Sequence, residues 1–204
     1  MNLKNIRIVY FSLVAFLIFV TFSQSIIELF PQPKEEPFFA LGLLGNEGLA
    51  EQYYPGTEPI IYVNSPIRWN IHIYNHMGKA QQIKIKIKLM ESSIPSPNAT
   101  TCTPSPIIEI YEIRKILQNN ETLIIPYEWT IYKVAKINNS LPFLLMDINE
   151  DTINIDMNLD KEKTLKMVFE LWVYDKDIDD FTFGWTVRGE THCAWNHIYF
   201  DLLG

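Results

Sequence analysis

A chain of 204 residues, 48% hydrophobic and 13% aromatic, is long enough for one ordinary domain and too rich in core-forming side chains to be disordered. A formal charge of -7 and a pI near 5.1 exclude a phosphate-binding surface, which needs a clustered Lys/Arg excess, so nucleic acid is not an expected partner. Two cysteines exclude a disulfide-dense scaffold and any four-thiolate zinc or iron–sulfur centre.

Residues 1–7 carry Lys4 and Arg7 and no acid, and residues 8–27 carry no charge at all. Twenty residues at about 1.5 Å each match the roughly 30 Å hydrocarbon core of a bilayer, so residues 8–27 are expected to form a transmembrane anchor. Glu28, Glu35 and Glu36 follow the run. The positive-inside rule then places residues 1–7 in the cytoplasm and everything after Glu28 outside the cell membrane. A cleaved secretory signal is the competing reading, because Ser23 and Ser25 could serve a peptidase. Against it, the apolar run is longer than a usual signal core and no A-x-A pattern appears. Either reading exports the rest of the chain. Without Lys4 and Arg7, that remainder holds fifteen Lys and Arg against 24 Asp and Glu, a net charge of -9.

Residues 28–37, ending in PQPKEEP, form a tether that cannot continue a helix. From residue 38 the hydrophobic period changes to two. Strands are expected at 38–44, 60–63, 122–132, 164–174, 181–188 and 194–202. Ile67, Trp69, Ile71 and Ile73 alternate on one segment, and Ile83, Ile85, Ile87 and Leu89 on the next. With Asn75-His76-Met77-Gly78-Lys79 as turn chemistry between them, residues 67–90 read as a β-hairpin. Lys84, Lys86 and Lys88 then form a solvated strand face. Residues 91–106 are a Ser/Pro/Thr loop. Ile110, Ile113, Ile116 and Leu117 fit helical spacing, which predicts a short helix over 107–117. The Asn- and Asp-rich stretch 133–163 reads as a long loop or insertion. The sum is a mainly β domain over 38–204, an antiparallel immunoglobulin-like β-sandwich with one short helix.

Phe38 to Pro55 (FFALGLLGNEGLAEQYYP), Asn75-His76, Asn120-Glu121-Thr122 before Pro126, and Leu171-Trp172 together make a pattern of packing and turn residues. On these residues the chain resembles the archaeal membrane-anchored proteins grouped as domain of unknown function 1616, over roughly residues 38–202. The resemblance implies an exported β-rich domain and an archaeal source. That family brings no established activity, so no catalytic role is carried over.

Cys102 and Cys193 lie on the exported side, where a disulfide tying the 91–106 loop to the C-terminal strand is the simplest use for both. Asn98, Asn120 and Asn138 head N-x-S/T sequons in polar stretches and are candidate glycosylation sites. A transition metal is the sharper alternative for Cys193. All four histidines fall in two clusters, His72 with His76 and His192 with His197. His72, His76, Cys193 and His197 supply the residue types of a Cys/His copper site. Against copper, no Met follows His197. Asp147-Ile148-Asn149-Glu150-Asp151 and Asp175-Lys176-Asp177-Ile178-Asp179-Asp180 resemble calcium loops. They have Thr152 and Asp180 where an EF-hand needs Gly, and no Glu at the twelfth position. No metal is favoured and no cofactor is expected.

Trp69, Trp129, Trp172, Trp185, Trp195, Tyr53 and Tyr54 could line a carbohydrate platform, but strand aromatics more often form core. No G-x-S-x-G, H-E-x-x-H or P-loop occurs, and no catalytic residue is assigned. The expected role is non-enzymatic: a membrane-anchored extracytoplasmic interaction or structural module at the cell surface, partnered by another envelope or membrane protein. A metal-binding envelope protein and an accessory subunit of a larger membrane complex are the alternatives.

Overall fold

A computed structural model describes residues 10–22, 36–133, 144–155 and 164–203. The chain divides into two units, Met1–Glu36 and Pro37–Gly204. In the first, residues 10–22 are helical, and Tyr10, Phe11, Phe16 and Phe19 are all exposed. A helix apolar on every side is one that needs a nonaqueous or protein covering. The described turns span about 20 Å, and among the described residues no helix is long and apolar enough to cross a membrane. Residues 8, 9 and 23–27 of the expected anchor lie outside the described residues, as do Ser23, Ser25 and most of the tether.

The second unit contains the strands β1 (Phe38–Leu44), β2 (Ile60–Tyr62), β3 (Ile67–His76), β4 (Gln81–Glu91), β5 (Tyr111–Leu117), β6 (Glu121–Lys133), β7 (Leu144–Ile148), β8 (Asp151–Ile155), β9 (Thr164–Asp175), β10 (Asp180–Phe183), β11 (Trp185–Val187), β12 (Glu190–His192) and β13 (Trp195–Leu203). The first sheet runs β1-β3-β6-β7-β8 and the second β2-β13-β9-β4-β5, with β10 on β9 and a separate β11–β12 ribbon. Alternation dictates the layers. In β3, Trp69, Ile71 and Ile73 face inward in register with Tyr127, Ile125 and Leu123 of β6. In β4, Ile83, Ile85 and Ile87 meet Val173, Leu171 and Phe169 of β9. Each of these isoleucines is fully buried, contributing about 2 kcal/mol of transfer free energy. The inner faces meet where Trp69 sets its ring edge-on to Phe169 at 6.1 Å and Trp129 lies 5.5 Å from Phe200. This is a two-sheet sandwich around one core.

Four local expectations are corrected. Residues 67–90 are not a hairpin: β3 pairs with β1 and β6, whereas β4 pairs with β9 and β5. The link between them crosses from one sheet to the other, with Gly78 at φ 74°. Residues 111–117 form a strand in place of the expected helix, because the ladder of β4 offers them a full set of backbone partners. The ion pairs Lys84–Glu112 and Lys86–Glu109, at 3.1 and 3.2 Å, reinforce that pairing. The stretch 133–163 carries the hairpin β7–β8. Asn149 and Glu150, at φ 47° and 77°, make the two-residue turn with positive φ that matches strand twist. Finally, the sandwich is not wholly antiparallel, since β2 runs parallel to β13.

One buried side chain fixes the crossover. Asn75 has no exposed surface, and its Nδ2 donates toward the carbonyls of Lys79, Leu117 and Gln118 at 3.0–3.1 Å. Its Oδ1 accepts from the Met77 amide at 3.0 Å. It brackets the β3–β4 link against the β5–β6 corner. In the 45–59 loop, Trp69 Nε1 donates to the Tyr53 carbonyl, and the Tyr53 and Tyr54 hydroxyls donate to the Leu43 and Tyr199 carbonyls.

Candidate functional site: a strapped outer face of the second sheet

The inward residues of β4 and β9 leave Lys84, Lys86 and Lys88, and Lys166, Val168, Glu170 and Trp172, on the outer face of the second sheet. That face is not solvated as the lysine stripe suggests. Lys88 is 3% exposed, Lys166 2% and Glu170 0%. The cover is residues 92–110, the strap, which lies over the sheet and rejoins it at Ile110, whose amide donates to the Ile87 carbonyl.

Each buried charge is matched by a group of the strap or the sheet. Glu170 Oε1 accepts from the Ser105 amide at 2.8 Å, from Ser105 Oγ at 2.7 Å and from Lys88 Nζ at 3.0 Å. Its Oε2 accepts from Trp172 Nε1 at 3.1 Å and pairs with Lys88 Nζ at 2.9 Å. Lys88 also donates to the Ser105 carbonyl. At the other end of the strap, Lys166 Nζ donates to the Ser92 and Ile94 carbonyls and to Ser96 Oγ, and burial lowers its pKa. Along the margin, Lys86 lies 4.1 Å over the Trp172 ring and Lys84 4.5 Å over Phe181. Burial by itself would raise the Glu109 and Glu112 carboxyls. Hydrogen bonding outweighs it: Glu109's own backbone amide and Lys86 lower the first, and Arg114 and Lys84 the second. The arrangement is a clamp in which a carboxylate and two ammonium groups hold an irregular segment.

Replacing Lys166 by methionine keeps the apolar stem and removes the three strap bonds. Global stability is expected to change by less than about 1 kcal/mol, while the strap becomes more readily cleaved by protease. Limited proteolysis followed by mass spectrometry of the fragments measures this. An unaltered cleavage rate would show that Lys166 does not hold the strap.

The strap tip carries Cys102. Asn98 Oδ1 accepts from the Thr100 and Thr101 amides, and Asn98 and Thr103 exchange backbone bonds, so Cys102 stands at the apex with φ 45°. Cys193 follows β12. Gly184, at φ 103°, lets that segment come close: a Cβ there would meet the His192 carbonyl oxygen at 2.3 Å and Cys193 Cβ at 3.3 Å. The sequence thus brings the two expected partners together, here as free thiols. Both donate toward the Ala99 carbonyl, at 3.7 Å from Cys102 and 3.8 Å from Cys193.

The copper candidates are not gathered. His72 and His76 stand on β3 in the first sheet, whereas Cys193 and His197 belong to the β12–β13 segment and the second. His76 Nδ1 lies 2.7 Å from Asn120 Oδ1 and 3.2 Å from the Tyr74 hydroxyl. His197 stacks on Trp195 with ring centroids 5.4 Å apart and meets Tyr199 edge-on at 4.7 Å. Burial, then the nearby Lys166 charge, lowers its pKa. Among the described residues no three His, Cys, Asp or Glu side chains form a group able to hold a metal ion.

The acidic runs are turns whose side chains bond within the chain. Asp147 Oδ1 accepts from Thr152 Oγ1, Asn149 Oδ1 from the Glu128 amide, Asp175 Oδ1 from the Asp177 amide, and Asp179 from the Tyr174 hydroxyl. Asn98 and Asn120 are exposed; Asn138 lies outside the described residues. Trp69 and Trp129 are core and cannot serve an exposed sugar platform. Among the described residues, one open groove of about 440 Å³ is lined by Arg68 and Glu128 and another of similar volume by Tyr174 and Trp185. The Arg68–Glu128 ion pair lies in the first, on the outer face of the first sheet. Tyr174, Trp185 and Thr191 contribute to the other.

Sequence reasoning missed Glu170, Lys166 and Ser105. The available signal was two charged residues at outward positions of the otherwise apolar strand 164–174, beside a Pro-rich segment long enough to cover them.

No family model and no curated protein matches the chain. Among solved structures, it is similar to the crystal structure of the CARDB domain of the PF1109 protein from Pyrococcus furiosus, solved in complex with di-metal ions. That likeness is at 9% identity and a TM-score of 0.40, over 83% of this chain and 90% of that one.

Proposed function

We propose that the chain is a membrane-anchored extracytoplasmic interaction or structural module of the cell surface, with an immunoglobulin-like sandwich as its exposed part and another envelope or membrane protein as its partner. The observation that carries the reading is the use made of Glu170, Lys88 and Ser105. A carboxylate, an amine and a hydroxyl within hydrogen-bond reach are the raw material of acid–base chemistry. Here they donate to and accept from one another and the strap, a structural use of catalytic residue types. The anchor rests on the charge-free run 8–27 behind Lys4 and Arg7. The immunoglobulin-like assignment is supported by strand order, with β1-β3-β6 facing β5-β4-β9-β13 and the crossover from β3 to β4. Membership in the archaeal membrane-anchored group is part of the same proposal. Its Asn75 is the crossover bracket, and its Tyr53 and Tyr54 tie down the 45–59 loop.

Alkaline phosphatase fused after residue 37 is expected to be active, and a reporter that works only in the cytoplasm to be silent at the same junction. The opposite pair of results would overturn both the topology and the role.

A further inference from the structure

We propose that Cys102 and Cys193 are a redox-active thiol pair that thiol–disulfide exchange converts into a disulfide, fastening the strap tip to the segment joining β12 and β13. The inference goes beyond the cell-surface reading and does not depend on it. Two separate backbone devices bring the sulfurs together. The Asn98 turn and the Asn98–Thr103 bridge present Cys102 on the strap, and the close approach at Gly184 positions Cys193. The Cys102 thiol also reaches the Thr191 carbonyl of β12 at 3.7 Å, so the strap tip already touches the ribbon. Cys102 holds its position with a positive φ, a conformation unfavourable for a non-glycine residue that persists where surroundings impose it. Both cysteines are partly exposed, which leaves them open to a soluble disulfide.

The exchange balances as follows. One cysteine thiolate attacks a sulfur of an incoming disulfide such as oxidised glutathione, displacing one glutathione thiolate and leaving a mixed disulfide. The second cysteine attacks the protein sulfur of that bond and displaces the other glutathione. Two protein S–H bonds are lost and one S–S bond forms. The oxidant takes up two electrons and, with the two protons, leaves as two thiols. Burial, and then the neighbouring Cys102, pushes the Cys193 thiol up to about 12.

The test treats the full-length protein with oxidised glutathione, alkylates remaining thiols and maps peptides by mass spectrometry. A Cys102–Cys193 linked peptide with neither residue alkylated is expected, with the strap cleaved about tenfold more slowly by protease until dithiothreitol restores the original rate. Cys102→Ser and Cys193→Ser should each stop at the mixed disulfide without strap protection. Persistent mixed disulfides or two alkylated thiols in the folded wild type would overturn the proposal. A further comparison needs no variant. The linked peptide should form at least about tenfold faster in folded protein than in urea, because folding raises the local thiol concentration. Equal rates would sink the idea of a preorganised pair.

Discussion

Replacing Glu170 with alanine is expected to lower the unfolding free energy by about 3–5 kcal/mol, the cost of leaving a buried partner charge uncompensated. Lys88 Nζ would keep only the Ser105 carbonyl, and the Ser105 and Trp172 donors would lose their acceptor. The sharper experiment is a cycle. Lys88→Met alone strands a fully buried carboxylate and should cost a similar amount. The double variant Lys88→Met, Glu170→Met removes both charges while keeping the volume, and should fall within about 2 kcal/mol of wild type. Urea unfolding of the four proteins, with the slope held constant, reads the coupling directly. Additive losses would mean that the two side chains do not act as a pair.

Asn75→Ala is expected to cost about 3 kcal/mol and to lower the melting temperature by roughly 6–12 °C in a unit of this size. The loss comes from backbone groups left dry: the Lys79, Leu117 and Gln118 carbonyls and the Met77 amide all use this one side chain. Asn75→Asp separates shape from hydrogen bonding. It keeps an acceptor for Met77 but turns a negative oxygen toward three carbonyls, so at neutral pH it should be at least as damaging as alanine. An aspartate tolerated as well as asparagine would show that the amide does not bracket the crossover.

The strands themselves were legible wherever every second residue is apolar and faces the core. β3, β4 and β9 follow alternation almost residue by residue, because a one-residue slip would turn every inward side chain outward. Pairing partners were less legible. The turn chemistry at 75–79 suits a hairpin, and only the need of β4 for β9, some eighty residues away, sends it to the other sheet. Residues 107–117 misled because Ile110, Ile113 and Ile116 have helical spacing. Ile116 is in fact exposed, while Leu117 faces the core. Polar composition concealed β7 and β8, although Leu144, Met146 and Ile148 alternate across the turn from Ile153 and Ile155.

The site was legible in part. Alternation correctly set Lys84, Lys86 and Lys88 outward, but period alone says which way a side chain points and nothing about what lies over it. A buried ion pair on an outer face is a property of the covering segment, and no local pattern in either strand announces it. The cysteines, for which the sequence suggests a disulfide between the 91–106 loop and the C-terminal strand, come together at the strap tip as free thiols.

The parallel pair β2–β13 gives the molecule a direction of mechanical strength. Its hydrogen bonds, including Val63 to the Leu203 carbonyl and Asp201 to the Pro59 carbonyl, cross between a strand entered from the N-terminal side and one leaving toward the C-terminus. Tension applied between the N-terminal end of β2 and the C-terminal end of β13 therefore loads those bonds in shear, together. An antiparallel strand in the same position would peel away one bond at a time.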